Sequence, residues 1–304
     1  MESVIKTSGL TKLYGEMAAV NQLNLDIPKG TIYGFLGLNG AGKTTTMRML
    51  LGMIKPSDGS ASLFGQNVAK AKKGLWGKIG YMIESTYAYP NLTVMEYLTL
   101  FTKYYGLKNK QPIEKVVDLL QLDKYRNVQS KHLSLGNLQR LGLAKALMHN
   151  PELLILDEPV NGLDPSGIVE IRNLLKELSR QGTTILISSH LLSEISKLAH
   201  TIGIIHQGNL IKEMEADLLH RQLKRKLILD TKDNTKTASL LNEHSIKTRI
   251  NSASELEITE RLDLASPDKV AKIIVDGHIG LTKLNPYEEE LETFFLRTIE
   301  QKSA

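Results

Sequence analysis

The stretch Gly37-Leu38-Asn39-Gly40-Ala41-Gly42-Lys43-Thr44 combines glycines, a lysine and a hydroxyl at fixed spacing. Gly, four residues, then Gly-Lys-Thr suits a loop that curls its backbone N–H groups toward phosphate oxygens. In that geometry Lys43 reaches the β- and γ-phosphates of a nucleotide, and the Thr44 hydroxyl holds Mg²⁺. Asn39, Gly40, Ala41, Gly42 and Thr45 complete the candidate nucleotide contacts. A glycine-rich turn without chemistry is the competing reading. A second candidate is Asp157-Glu158, which closes the apolar run Leu153-Leu154-Ile155-Leu156. At the C-terminal end of a parallel strand such carboxylates face a ligand crevice. Asp157 is then placed to bind Mg²⁺, directly or through water, and Glu158 to orient or deprotonate an attacking water. Taken alone, the pair also fits a solvated strand end.

Elements must place these groups together. Residues 31–36 read as a buried strand entering the glycine loop, and residues 45–51 as a helix leaving it, whose N-terminus favours an anion. Residues 153–156 and 183–188 read as central parallel strands, joined by a helix over 168–178. Residues 3–36 otherwise read as short strands, and residues 92–150 as mostly helical. Within them Pro112 opens a helix that runs to Leu120. Ser134 is a helix N-cap for the segment through Met148. Beyond about residue 216 the texture changes: a strand near 227–230, a helix over 237–243, a hairpin from 247–250 and 255–258, and helices over 267–275 and 288–299. The basic run 220–226 reads as a solvated linker face, with a membrane-headgroup contact as the second reading.

The chain has 304 residues, 41% hydrophobic and 23% charged, a net charge of +5 and no cysteine. Thiol catalysis, disulfides and cysteine metal sites are excluded. No apolar run is long enough for a membrane-spanning helix, and the first residues do not form a secretory signal. The small positive excess does not distinguish an anionic ligand from a membrane surface or nucleic acid.

At Leu133-Ser134-Leu135-Gly136-Asn137-Leu138-Gln139-Arg140 the sequence resembles the ATP-binding subunits of ABC transporters, whose signature is Leu-Ser-Gly-Gly-Gln with Gln-Arg shortly after. Leu135 replaces the first glycine of that signature and Asn137 the first glutamine. The order of phosphate loop, signature and Asp-Glu strand agrees with the family. The resemblance covers about residues 3–217. It implies a P-loop NTPase: a RecA-like α/β core, an antiparallel β subdomain and a helical subdomain near 85–150. Residues 218–304 would then be a small α+β accessory domain.

The resemblance further implies ATP and Mg²⁺ as ligands. Tyr14 would stack on adenine. His190 would contact the γ-phosphate, and Asn161-Gly162-Leu163-Asp164 would form a loop at a dimer interface, with Val160 where Ser or Thr is usual. Ser134, Gly136, Asn137 and Asp164 would meet nucleotide held by a second protomer, so ATP would join two ATPase domains in a homodimer. Integral membrane permease subunits are the implied partners, nucleic acid is not expected, and the place is the cytoplasmic face of the membrane.

Glu84 stands where the family usually places a glutamine that touches Mg²⁺ or the attacking water. Ile83-Glu84 followed by Tyr89, Leu92-Thr93 and Glu96, together with the Ser-Leu-Gly signature, resembles ATPases of lantibiotic-immunity and bacitracin-resistance transporters. Thr86 departs from the proline expected there. A carboxylate adds negative charge near the γ-phosphate and binds Mg²⁺ more strongly than an amide. Glu84 is therefore both a metal and a catalytic candidate, with coupling to the permease as its expected main role. An exporter subunit for another drug or lipid, and a non-transport ABC ATPase, are the alternatives. A guanine-reading motif is absent, since Asn109-Lys110-Gln111-Pro112 lacks the needed aspartate.

Overall fold

The computed structural model describes residues 2–83, 88–107, 109, 111–259 and 266–303. The chain divides into two compact units, the first ending at Leu219 and the second beginning at His220.

In the first unit an antiparallel sheet contains β1 (Ser3–Tyr14), β2 (Met17–Leu23), β3 (Asp26–Pro28), β5 (Asp58–Leu63) and β6 (Gln66–Asn67). The larger sheet contains β4 (Ile32–Leu36), β7 (Ile79–Met82), β8 (Leu153–Asp157), β9 (Thr184–Ser189), β10 (Thr201–His206) and β11 (Asn209–Glu215). Its order is β11-β10-β4-β9-β8-β7, parallel except for the β11 edge. β4, β8 and β9 are buried along their whole length, as strands covered on both faces must be. Their register sets Leu36 beside Ser189 and Asp157 beside Ser188, so the chain leaves these strands at one end of the sheet.

Helices α1 (Lys43–Leu50), α2 (Lys73–Trp76), α3 (Val94–Tyr105), α4 (Gln111–Leu119), α5 (Leu135–Leu147), α6 (Pro165–Arg180) and α7 (Leu192–Ile195) belong to this unit. Thr93 and Glu96 form a reciprocal capping box that starts α3. α5 packs on β7, and Gly80 makes that approach possible: a Cβ there would overlap the Ala146 carbonyl. One expectation changes. Residues 3–14 form a single long strand rather than short ones. β1 pairs with β2, β3 and β5, each through a register shift: between Leu10 and Leu13 against β2, between Ser3 and Ile5 against β3, and between Ser8 and Thr11 against β5, where Gly9 takes a positive φ. That irregularity breaks the apolar alternation and hides the strand's length.

The second unit contains α8 (Leu219–Gln222, which spans the boundary), β12 (Arg225–Thr231), α9 (Asn234–Glu243), β13 (Arg249–Ile250), β14 (Leu256–Ile258), α10 (Pro267–Asp276), β15 (Leu281–Glu288) and α11 (Leu291–Ser303). Its sheet order is β13-β14-β12-β15, and Leu227, Leu229, Leu241, Leu256, Ile258, Val270 and Ile274 form its core. The basic run is a linker only in part: it starts at the boundary of the two units with Arg221, Gln222, Lys224 and Arg225 exposed, but its last two residues enter a strand. Arg225 and Lys226 begin the central strand, and they pair with Glu288 and Glu257 at 3.0 and 2.6 Å. β15 carries no clean alternation and contains Pro286, which an edge strand tolerates. Glu84 lies outside the described residues.

Candidate functional site

The loop after β4 is shaped by its glycines. Gly40 and Gly42 take φ of 79° and 108°, a region that side chains strain to enter. A Cβ on Gly42 would also overlap the Ala19 carbonyl, so no other residue fits there. α1 begins at Lys43, and the first turn of any helix leaves its N–H groups without partners in the helix. Lys43 is 6% exposed. Its Nζ donates to the Gly37 carbonyl at 2.6 Å and lies 3.6 Å from Glu158 Oε1. The Thr44 hydroxyl donates to Asp157 Oδ2 at 2.6 Å.

A serine outside the sequence candidates organises the two carboxylates. Ser188, at the end of β9, donates its hydroxyl to Asp157 Oδ1 and accepts the Glu158 N–H at 3.1 Å. A lone serine beside Ser189 carries no spacing signal; only the pairing of β8 with β9 shows its role. Glu158 sits in the left-handed region, φ 49°, which turns its side chain out of the strand path. His190 Nδ1 lies 3.0 Å from Glu158 Oε2. Glu158 Oε1 is buried and has no hydrogen-bond donor among the described residues.

These groups open on one cleft of about 780 Å³, lined by Tyr14, Asn39, Gly40, Ala41, Gly42, Lys43, Thr44, Thr45, Asp157 and Glu158. Its rim adds Met17, Leu38 and Leu135, all exposed. Tyr14 is 48% exposed, with Lys12 Nζ 5.2 Å from its ring centroid.

The ABC transporter family model matches residues 20–161. The chain is 42% identical to the bacitracin transport ATP-binding protein BcrA of Bacillus licheniformis, over 98% of each chain. The chain belongs to the ABC transporter ATP-binding family. It is an ATP hydrolase with the family's nucleotide-binding fold. It is also 41% identical to the lantibiotic transport ATP-binding protein SrtF of Streptococcus pyogenes, over 70% of this chain and 92% of that one. A dimeric bacterial ABC transporter cassette is similar in structure, with a TM-score of 0.65 and 25% identity over 70% of this chain and 98% of that one.

Of the expected interface loop, Asn161 and Gly162 line the cleft as well, whereas His190, Ser134, Gly136, Asn137 and Asp164 lie outside its lining. Ser134 caps α5, accepting the Asn137 N–H at 3.3 Å, and Gly136 follows in the first turn. Asp164 caps α6, accepting from the Ser166 hydroxyl at 2.6 Å and the Gly167 N–H at 3.1 Å. Those bonds, the Ser166 hydroxyl first, hold its carboxyl below the usual range. No helix among the described residues is long and apolar enough to cross a membrane.

Proposed function

We propose that this chain is the ATP-binding subunit of a transporter that exports a peptide antibiotic of the bacitracin or lantibiotic kind, or extracts it from the membrane. It would act on integral membrane permease subunits from the cytoplasmic face. The match to the bacitracin transport protein carries this reading, because it spans 98% of both chains and so includes the second unit. A likeness confined to the first unit would speak for ATP hydrolysis alone.

The chemistry follows from the cleft. The loop and the α1 N-terminus bind the phosphates, Lys43 neutralises them, and Tyr14 offers its exposed ring to adenine. The Thr44 hydroxyl and Asp157 carboxylate suit Mg²⁺, a hard ion that takes few protein ligands beside phosphate oxygens and water. The ion supplies charge neutralisation at the β- and γ-phosphates. Glu158, whose Oε1 lies 3.6 Å from Lys43 Nζ and whose Oε2 meets His190 Nδ1 at 3.0 Å, accepts the proton of the attacking water. Ser134, Gly136 and Asn137 serve a second protomer's nucleotide in an ATP-bound homodimer. The exposed apolar rim supports such a cover, and so does the dimeric cassette of similar fold. Asp164 anchors the interface loop through its cap, and Glu84 chiefly couples turnover to the permease.

The test is genetic and chemical together. Deleting the gene should sensitise the host to bacitracin-type or lantibiotic peptides, and the parental gene, but not Glu158→Gln, should restore resistance. Unchanged susceptibility to both peptide classes would remove the substrate assignment and leave the ATPase. Glu84→Gln should keep substantial ATPase activity and lose resistance. Loss of hydrolysis in the isolated Glu84→Gln subunit would end the coupling role.

A further inference from the structure

Tyr14 is the last residue of β1 and lines the cleft, yet about half of it is exposed. Its partner across the hairpin is Met17, which is more exposed still. A ring so placed gains little from packing, so its plane must be set by something else. Lys12 supplies that contact, with its Nζ over the ring, 5.2 Å from the centroid. Lys12 does not line the cleft, so the ammonium supports the ring from outside it. The ammonium is itself anchored, because Nζ donates to the Lys55 carbonyl at 2.8 Å. Lys55 belongs to the connection between α1 and β5. That connection is tied to β1 twice more: the Ser57 N–H donates to the Thr11 carbonyl at 2.8 Å, and the Leu13 N–H to the Ser57 hydroxyl at 3.0 Å. No carboxylate among the described residues pairs with Lys12, so its charge acts on the carbonyl and the ring.

We infer that Lys12 is a positioning residue for the purine base of ATP: it sets the plane of Tyr14 and ties the ring to the turn that follows the phosphate-binding helix. The inference deepens the reading of Tyr14 as the adenine platform and rests on it. A cation over the face of a phenol ring is attracted by the ring quadrupole. That attraction limits the torsions of an exposed side chain before nucleotide arrives, which lowers the ordering cost of binding. It also draws π density toward the ammonium and leaves the other face better matched to an electron-rich purine. The anchor adds a second effect. α1 starts at Lys43, in the phosphate loop, and the chain runs from its end to the Lys55 carbonyl that holds Lys12. Residues 43–57 therefore fix both the phosphate loop and the base platform, and with them the span between the two ends of a nucleotide. Neither effect discriminates between ground state and transition state, so both belong to affinity rather than to the chemical step.

The experiment measures phosphate release by the full chain carrying Lys12→Ala, Lys12→Arg, Lys12→Met, Tyr14→Ala, or Lys12→Ala with Tyr14→Ala. Inorganic tripolyphosphate, which has no base, serves as a competitor that reports the phosphate loop alone. Lys12→Ala should raise the KM for ATP about two- to fivefold, the range of an exposed cation–π contact, with kcat at the parental value. Its inhibition by tripolyphosphate should stay parental. Lys12→Arg keeps a cation that can lie on the ring and should restore the KM, whereas Lys12→Met keeps the length without the charge and should not. In the Tyr14→Ala background, Lys12→Ala should add nothing, because its effect passes through the ring. A parental KM in Lys12→Ala or Lys12→Met, beside a raised KM in Tyr14→Ala, would overturn the inference and leave the adenine platform standing. Weaker tripolyphosphate inhibition in Lys12→Ala, or a further loss in the Tyr14→Ala background, would also overturn it, since either marks a charge that attracts the phosphates directly. A parental KM in Tyr14→Ala would remove the platform and the inference together.

Discussion

Glu158 gathers most of the chemistry. Its Oε2 meets His190, its N–H meets Ser188, its carbonyl meets Gln139, and its Oε1 lies 3.6 Å from Lys43 Nζ. Glu158→Gln keeps the shape and removes the base. Turnover should fall by about 10²–10⁴-fold with ATP affinity retained, checked by phosphate release beside nucleotide titration. Parental turnover would take Glu158 out of the base role. Lys43→Ala acts differently: it deletes the charge nearest the phosphates, so nucleotide affinity itself should drop in the same titration. Both residues were legible because glycine spacing and an Asp-Glu strand end are local patterns. Ser188 was not legible. It matters only because β8 and β9 run side by side, and that register is a property of the sheet rather than of any window of sequence.

At the scale of elements, the site depends on how closely helices and strands approach. α5 reaches β7 over Gly80, where a Cβ would overlap Ala146 backbone and come within 2.8 Å of Leu154 Cδ2. Gly80→Ala should therefore strain the α5–β7 contact by about 1–3 kcal/mol, seen as a lower denaturation midpoint of the first unit. A midpoint equal to the parent would show that the helix can move aside. In the second unit, Glu289 is nearly buried and receives Arg297 through two bonds of 2.8 Å, with the Lys224 N–H adding a third at 2.9 Å. Arg297 chiefly holds the Glu289 carboxyl below its ordinary range. A lowered carboxylate value stabilises the fold above the unfolded value and loses that contribution as pH falls through the folded one. Arg297→Gln should flatten the acid side of the stability profile, measured by urea unfolding at neutral and acidic pH. An unchanged profile would mean the pair does not contribute. Amphipathic helices and the central strands could be read from periodicity alone. β15 could not, because an edge strand with a proline shows no alternation, and the basic start of β12 resembled a linker until its carboxylate partners came alongside.

Across the whole molecule, the chain pairs an ATPase unit with a second unit that has a sheet and core of its own. The ATPase unit leaves an apolar rim of Met17, Leu38 and Leu135 around a charged cleft. A rim of this kind suits a surface that closes only when nucleotide neutralises the centre. With Mg-ATP, Glu158→Gln should elute as a dimer by size-exclusion chromatography with light scattering, and parental protein after hydrolysis as a monomer. A monomer in both cases would refute ATP-driven pairing. Whether this ABC ATPase drives a transporter is decided by recovering tagged Glu158→Gln protein from native membranes in Mg-ATP and identifying the chains that come with it. Multi-span membrane proteins should be held in the ATP-bound state and released when nucleotide is removed. Ribosomal or DNA-bound partners, with no membrane protein among them, would contradict it.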